Sequence, residues 1–210
     1  SSRKLLTDGK SRNLFAMWNK NGTKIAYLSN LKNPANSDLY IRNIDNGESE
    51  LILEQKGGGW SVEDWSKSDG KMILLNEISI AESELFSFDL STKKLTPLFQ
   101  NKEKVSYSNA TFNKNEDSFF YISDKNSEFN TLRIYNLASK SEKNITSKIN
   151  WDIEDYKISK DGKTIIFVAN EEGYSKMYQL NTQTLTYKVL ANIPKGVISN
   201  FGINDNGNQI

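Results

Sequence analysis

Histidine and cysteine are both absent from this 210-residue chain. Without histidine, no Ser-His-Asp triad, Cys-His pair or histidine-ligated zinc can form from its own residues. Without cysteine there are no disulfides, thiolate metal ligands or thiol nucleophiles. That second absence leaves the compartment open, because secreted proteins also dispense with cysteine. The Gly-x-Ser-x-Gly elbow of α/β-hydrolases is missing too. A nucleophile served by lysine or a carboxylate is chemically conceivable, but no spacing proposes one.

Long apolar runs are also lacking. Apolar runs are only a few residues, such as Met72-Ile73-Leu74-Leu75, against the roughly 20 of a membrane-spanning helix, so no membrane insertion is expected. Neither sign of charge dominates: 27 Lys and Arg stand against 26 Asp and Glu, interspersed along the chain. There is no basic footprint for nucleic acid. Gly57-Gly58-Gly59 lacks the following Lys-Ser/Thr and helix of a phosphate cradle, and no Asp-x-Asp calcium loop occurs. No cofactor or metal is expected. With 37% hydrophobic and 25% charged residues and a mean hydropathy of −0.61, the composition is that of a soluble globular chain.

What the chain does have is a repeat. Trp18-Asn-Lys-Asn-Gly22-Thr-Lys-Ile25-Ala-Tyr27 returns as Trp65-Ser-Lys-Ser-Asp69-Gly-Lys-Met72-Ile-Leu74. Further copies start at Phe112 and Ile158, and a fifth at Ile203, so successive anchors stand 45 to 47 residues apart. Each of the first four copies continues into an alternating strand, among them Asp38-Leu-Tyr-Ile-Arg-Asn-Ile44 and Thr131-Leu-Arg-Ile-Tyr-Asn-Leu137. A polar turn and a short closing strand complete the unit. β-Branched and aromatic residues suit strands, Asn, Asp, Gly and Ser suit the turns between them, and no stretch holds a helical apolar period.

Four antiparallel strands per unit of this length indicate an all-β fold, a β-propeller of four-stranded blades. Four full blades and parts of a fifth are expected over a single domain or fragment, residues 1–210. The anchor strand should be innermost and the closing strand outermost, with Trp18, Trp65, Phe112 and Ile158 packed in the core. Residues 3–7 read as a closing strand without its predecessors, and residues 197–210 as an opening strand and the start of a second. The expected architecture is either an arc of a seven- or eight-bladed propeller, which dimerises through bare edges, or a closed ring of five blades; the arc is favoured.

The anchor repeat resembles the Trp-Ser-Pro-Asp-Gly-Lys-x-Ile-Ala-Tyr pattern of TolB-like and prolyl oligopeptidase-type propellers, with lysine at the proline position (Lys20, Lys67, Lys114, Lys160). No Gly-His occurs and Trp-Asp occurs only once, at Trp151-Asp152, so the recurring signatures of WD-type propellers are missing. Segments such as Gly57-Gly-Gly-Trp-Ser-Val-Glu-Asp-Trp65 and Trp151-Asp-Ile-Glu-Asp-Tyr156 look like the N-terminal propeller of a bacterial prolyl oligopeptidase family serine peptidase. The resemblance implies a propeller stacked on a C-terminal α/β-hydrolase domain that holds the serine triad, restricting access to it and contributing peptide contacts. This sequence does not contain that hydrolase domain, so the expectation for the chain is a non-catalytic module whose partners are peptides or proteins. A TolB-like interaction propeller of the bacterial envelope is the alternative, and an enzyme working with carboxylates alone is a third reading. A periplasmic or secreted location is slightly favoured over a cytoplasmic one.

Loops entering the first strand of each blade open onto one face, where propellers commonly bind ligands. Here they are residues 57–64, 105–110, 151–155 and 195–200. Trp60, Glu63, Trp151, Asp152 and Glu154 give them aromatic and acidic character, suited to a peptide's amino terminus or basic side chains. Glu82 and Glu128, between second and third strands, are expected on the same face. The competing expectation is that the tryptophans pack between loops while the carboxylates cap turns or face water.

Overall fold

Short runs of β-branched and aromatic residues, interrupted every few positions by Asn, Asp, Gly or Ser, can satisfy their main-chain groups only by pairing with neighbouring runs. The computed structural model, which describes residues 5–205 and 209, shows the pairing. The first sheet contains β1 (Asn13–Trp18), β2 (Lys24–Ser29), β3 (Asp38–Asn43) and β4 (Ser49–Leu53). The second contains β5 (Trp60–Trp65), β6 (Lys71–Ser79), β7 (Glu82–Asp89) and β8 (Lys94–Pro97). In the third are β9 (Tyr107–Phe112), β10 (Ser118–Ser123), β11 (Thr131–Asn136) and β12 (Glu142–Asn144). The fourth has β13 (Ile153–Ile158), β14 (Thr164–Glu171), β15 (Tyr174–Asn181) and β16 (Thr186–Val189). Each sheet is antiparallel in chain order, and no helix occurs among the described residues. These are the blades of a β-propeller.

Each anchor ends the first strand of its blade, and the next residue builds the turn. The backbone N–H of Asn19 donates to the Lys24 carbonyl at 3.0 Å, and the Lys24 N–H returns to Asn19 Oδ1 at 2.9 Å. Ser66 with Lys71, Asn113 with Ser118 and Ser159 with Thr164 repeat both bonds. Within the turn Gly22, Asp69, Glu116 and Gly162 all have φ between 60° and 74°. Left-handed geometry explains the glycines and short polar residues there; Glu116 tolerates it without that advantage.

Two compact units, Ser1–Ser106 and Tyr107–Ile210, each contain two sheets. Alternation along the strands decides what faces what. In the first unit Ala26, Leu28 and Leu39 pack against Val62, Trp65, Met72, Leu74 and Phe88. In the second, Phe120, Ile122 and Leu132 meet Ile153, Tyr156, Ile165, Phe167 and Ala169. Trp65 and Phe112 are buried as expected, and Ile158 is half-buried against its cluster.

Trp18 departs from the expectation: it is 55% exposed. It pairs with Ile25 on the face of the first blade opposite Ala26 and Leu28. The cluster on that face (Ile25, Tyr27, Tyr40) draws only on first-blade residues, Ile44 and Leu51 among them. Among the described residues no second sheet packs on that face, so the indole stays exposed. The terminal strands are a second correction. Leu5–Thr7 form no strand, Arg3 and Lys4 lying outside the described residues, and residues 197–205 carry none. Ile198, Phe201 and Ile203 instead pack on Ile166, Val168 and Met177, and the Ile198 N–H is taken by Ser175 Oγ at 2.8 Å. The turn device nevertheless recurs a fifth time, Asn204 N–H to the Gln209 carbonyl at 3.0 Å and Gln209 N–H to Asn204 Oδ1 at 3.1 Å.

Candidate functional site

Strands β5 and β13 each contain one residue more than their partners can pair. Val62 faces Leu74 and Asp64 faces Ile73, leaving Glu63 as the extra residue. Ile153 faces Ala169 and Asp155 faces Val168, leaving Glu154. A β-bulge takes a side chain out of the strand's alternation and re-aims it. The following aspartate steadies both bulges: Asp64 Oδ1 accepts the Trp65 N–H at 2.9 Å, and Asp155 Oδ1 accepts the Tyr156 N–H at 2.8 Å. An apolar residue, Glu, Asp and an aromatic residue thus form the same device in both units. Strands β1 and β9 are also bulged, with Phe15 and Asn109 at φ 54° and 52°.

In the first unit Trp60, Glu63 and Glu82 belong to one end of the second blade, since Trp60 pairs with Asn76 and Glu82 with Ser79 just beyond it. Trp60 is half-buried, its ring 5.2 Å from that of Phe86 and its Nε1 donating to the Lys56 carbonyl at 3.4 Å. Glu63, half-buried, accepts a 2.7 Å bond from Ser61 Oγ. Glu82 lies 3.6 Å from Lys104 Nζ.

In the second unit Asp152 caps a turn, its Oδ1 taking the Asn130 N–H at 2.7 Å and its carbonyl the Asn170 N–H at 3.0 Å. Trp151 is 38% exposed. Glu154 is exposed and accepts from Asn170 Nδ2 at 2.9 Å. Glu128 lies between β10 and β11, at the end of the third blade where β9 begins. Trp151 and Glu154 therefore present an aromatic surface and a carboxylate, while Asp152 is occupied by the main chain.

Sequence reasoning passed over Asn109, Asp155 and Tyr156. Asp155 accepts from Asn109 Nδ2 at 3.1 Å and pairs with Lys157 Nζ at 3.0 Å. The buried Tyr156 hydroxyl donates to the Phe120 carbonyl at 2.9 Å and also reaches that of Asn109. Aligning Val62-Glu-Asp-Trp65 with Ile153-Glu-Asp-Tyr156 would have drawn attention to Asp155 and Tyr156; Asn109 leaves no such signature.

Chemically, an exposed carboxylate and an exposed indole are each suited to an ammonium or guanidinium group. No group of three His, Cys, Asp or Glu side chains among the described residues is placed to hold a metal ion. A cleft of about 410 Å³ lies at the opposite, turn end of the second unit, over Phe120 and Ile134 with Lys114 and Lys163 at its rim. None of the sequence-predicted residues lines it.

Comparison with known proteins adds a lineage. The family model described as the dipeptidyl peptidase IV (DPP IV) N-terminal region matches residues 63–200. No curated protein matches in sequence. Among solved structures, TolB from Acinetobacter baumannii superposes with a TM-score of 0.68 at 22% identity, over 88% of this chain and 45% of its own. Oligogalacturonate lyase from Vibrio parahaemolyticus gives 0.73 at 12% identity, over 96% of this chain and 58% of its own. Prolyl oligopeptidase B from Galerina marginata gives 0.70 at 10%, over 87% and 27%. At these identities the likeness concerns the fold, and the chain spans less than two thirds of each of the three structures.

Proposed function

This chain belongs to the family of dipeptidyl peptidase IV N-terminal regions, and we propose that it is the non-catalytic propeller of a prolyl oligopeptidase-type serine peptidase. The observation that carries the reading is the family match over residues 63–200 in a chain without histidine. Residues 1–210 act as one propeller domain or a portion of one, with blade anchors at Trp18, Trp65, Phe112, Ile158 and Ile203. The propeller restricts which peptides reach a C-terminal hydrolase domain, its catalytic partner. Glu63 in the first unit and Glu154 in the second, re-aimed by their bulges, each offer a carboxylate to the amino terminus or a basic side chain of a peptide. In the first unit Glu82 borders Glu63 and Trp60 supports it by packing; in the second Trp151 borders Glu154 and Asp152 holds the loop that carries Trp151.

The coding sequence downstream of Ile210 tests the parentage. A Gly-x-Ser-x-Gly segment within a few hundred codons supports the reading, and an uninterrupted gene lacking it removes the reading. Purified chain is expected to show no hydrolysis of peptide or ester substrates; turnover lost on Glu63→Gln or Glu154→Gln would establish a carboxylate enzyme instead. A TolB-like interaction propeller is the second reading, supported by the superposition on TolB over 88% of this chain. It becomes the better one if the downstream hydrolase sequence is missing.

A further inference from the structure

Asp38 opens β3 without any solvent exposure, and Gln55, just past the end of β4, is 4% exposed. Asp38 Oδ1 accepts the Gln55 backbone N–H at 2.8 Å, which brings the two residues together. Yet Asp38 Oδ2 and both ends of the Gln55 amide, Oε1 and Nε2, are buried with no hydrogen-bond partner among the described residues. Native proteins leave few such groups unpaired, because the desolvation cost falls on each in full. The third blade begins its corresponding strand, β11, with Thr131, whose hydroxyl donates to the Ser123 carbonyl at 3.0 Å. The carboxylate at Asp38 is therefore not a requirement of the blade. Lys32 does not relieve it, being engaged with Glu54 at 2.5 Å.

We propose that Asp38 and Gln55 hold one buried water molecule. The unpartnered atoms are two acceptors and one donor, and a water donates two hydrogen bonds and accepts at least one. A bare cation suits the set poorly, since Gln55 Nε2 carries hydrogens and only two oxygens remain. Swapping the amide ends changes nothing, because both are unpartnered.

The site sits at the root of the linker that enters β5. Asp38 holds the start of that linker through the Gln55 N–H. Its end is held by the Glu77 N–H, which donates to the Gly59 carbonyl at 2.8 Å. A Cβ on Gly59, at φ 87°, would lie 2.3 Å from the Glu77 carbonyl oxygen, so the linker has no lateral play there. Asp38 is thus a positioning residue for the segment that delivers Trp60 and Glu63, whatever ligand those residues take.

A crystal structure of the chain, repeated on a crystal soaked in rubidium chloride, tests the ligand. One solvent atom within about 2.7–3.2 Å of Asp38 Oδ2 and of the Gln55 amide, without rubidium anomalous signal, is expected. A rubidium peak, or no solvent atom, overturns the water. Amide hydrogen exchange tests the positioning. Asp38→Ala should exchange at least about tenfold faster at residues 55–60, with the amides of β13–β16 unchanged; equal rates at residues 55–60 overturn it. If Asp38→Ala does not fold, Asp38→Asn keeps an acceptor for Gln55 N–H but puts a donor in place of an acceptor. Because that bond is kept, rates at residues 55–60 should then match those of the unsubstituted chain, and acceleration there overturns the positioning role.

Discussion

Lys114 lays its side chain across the backbone of Gly162. A Cβ built on Gly162 would stand 2.6 Å from Lys114 Cβ. The two residues belong to the first turns of the third and fourth blades, so the contact joins the same turn of successive repeats. Gly162 answers two demands at once: φ of 74° and the space for its neighbour's stem.

Gly162→Ala is therefore expected to cost at least the roughly 1–2 kcal/mol of placing a Cβ in left-handed geometry, with the steric contact added. Thermal or urea unfolding measures it. Gly22→Ala has φ of 69° but nothing within 4 Å of the new Cβ, and should cost only the conformational part. Equal losses for the two variants would mean that the Lys114 contact carries no weight.

Asn19 is 3% exposed. Its Oδ1 accepts the N–H groups of Thr23 and Lys24 at 2.9 Å each, and its Nδ2 donates to Asp69 Oδ2 at 3.0 Å. Asn19→Ala leaves those groups unmatched and should lose about 2–3 kcal/mol. Asn19→Ser restores the bond to the Lys24 N–H, as Ser66 and Ser159 do in their own turns, and should recover about half. A serine variant as unstable as the alanine one would show that the repeated bond is not what stabilises the turn.

Trp65 and Trp18 occupy the same repeat position in different surroundings, 6% against 55% exposed. Trp65→Ala should cost about 3–5 kcal/mol, as core truncations of large aromatics do. Trp18→Ala should cost under about 1 kcal/mol. Chemical denaturation of both variants gives the comparison, and a large loss at Trp18 would reveal a covering surface.

Glu142 gives the chain a response to acid. Burial pushes its carboxyl pKa up, but the Tyr121 hydroxyl at 2.7 Å and the Lys125 ammonium at 3.0 Å, aided by Arg133, outweigh that and hold it below the ordinary glutamate range. A lowered folded-state pKa means stability that is present above the unfolded value and lost as pH falls through the folded one. Unfolding midpoints should drop as pH is taken from 6 to about 3, and Glu142→Gln should flatten that slope. Tyr121 shifts upward, through burial first and the Glu142 bond second, so its hydroxyl stays protonated throughout this range.

Glu154 is exposed and bonded only to Asn170 among the described contacts, so Glu154→Gln should leave stability within about 0.5 kcal/mol. If it receives a peptide ammonium, affinity for peptides with a free amino terminus should fall about 10- to 100-fold, the scale of a charge-assisted bond. N-acetylated peptides should be indifferent to the change. Calorimetry with both peptide forms makes the measurement, and an equal effect on the two would remove the amino-terminus role.

The blades were legible from residues alone because their signals are local. Anchor, polar turn and alternating strand recur at near-constant spacing, and the five Asn19-type turns follow from side chains within five residues of one another. The acidic candidates were legible as residue types, though not as roles. That Glu63 and Glu154 are the extra residues of bulges depends on how β5 and β13 register against β6 and β14, and Asp152 proved to be bound by Asn130, 22 positions away.

Trp18 and Asp38 mark the limit. An indole at an anchor position reads as core, and an aspartate opening a strand reads as solvated. Burial is set by what another sheet places against a residue, and no stretch of a few residues contains that information. Strand identity and turn chemistry were determined by the sequence itself, through backbone preferences and short-range hydrogen bonds. Which anchor is covered and which carboxylate is spent on the main chain were decided only when the sheets packed.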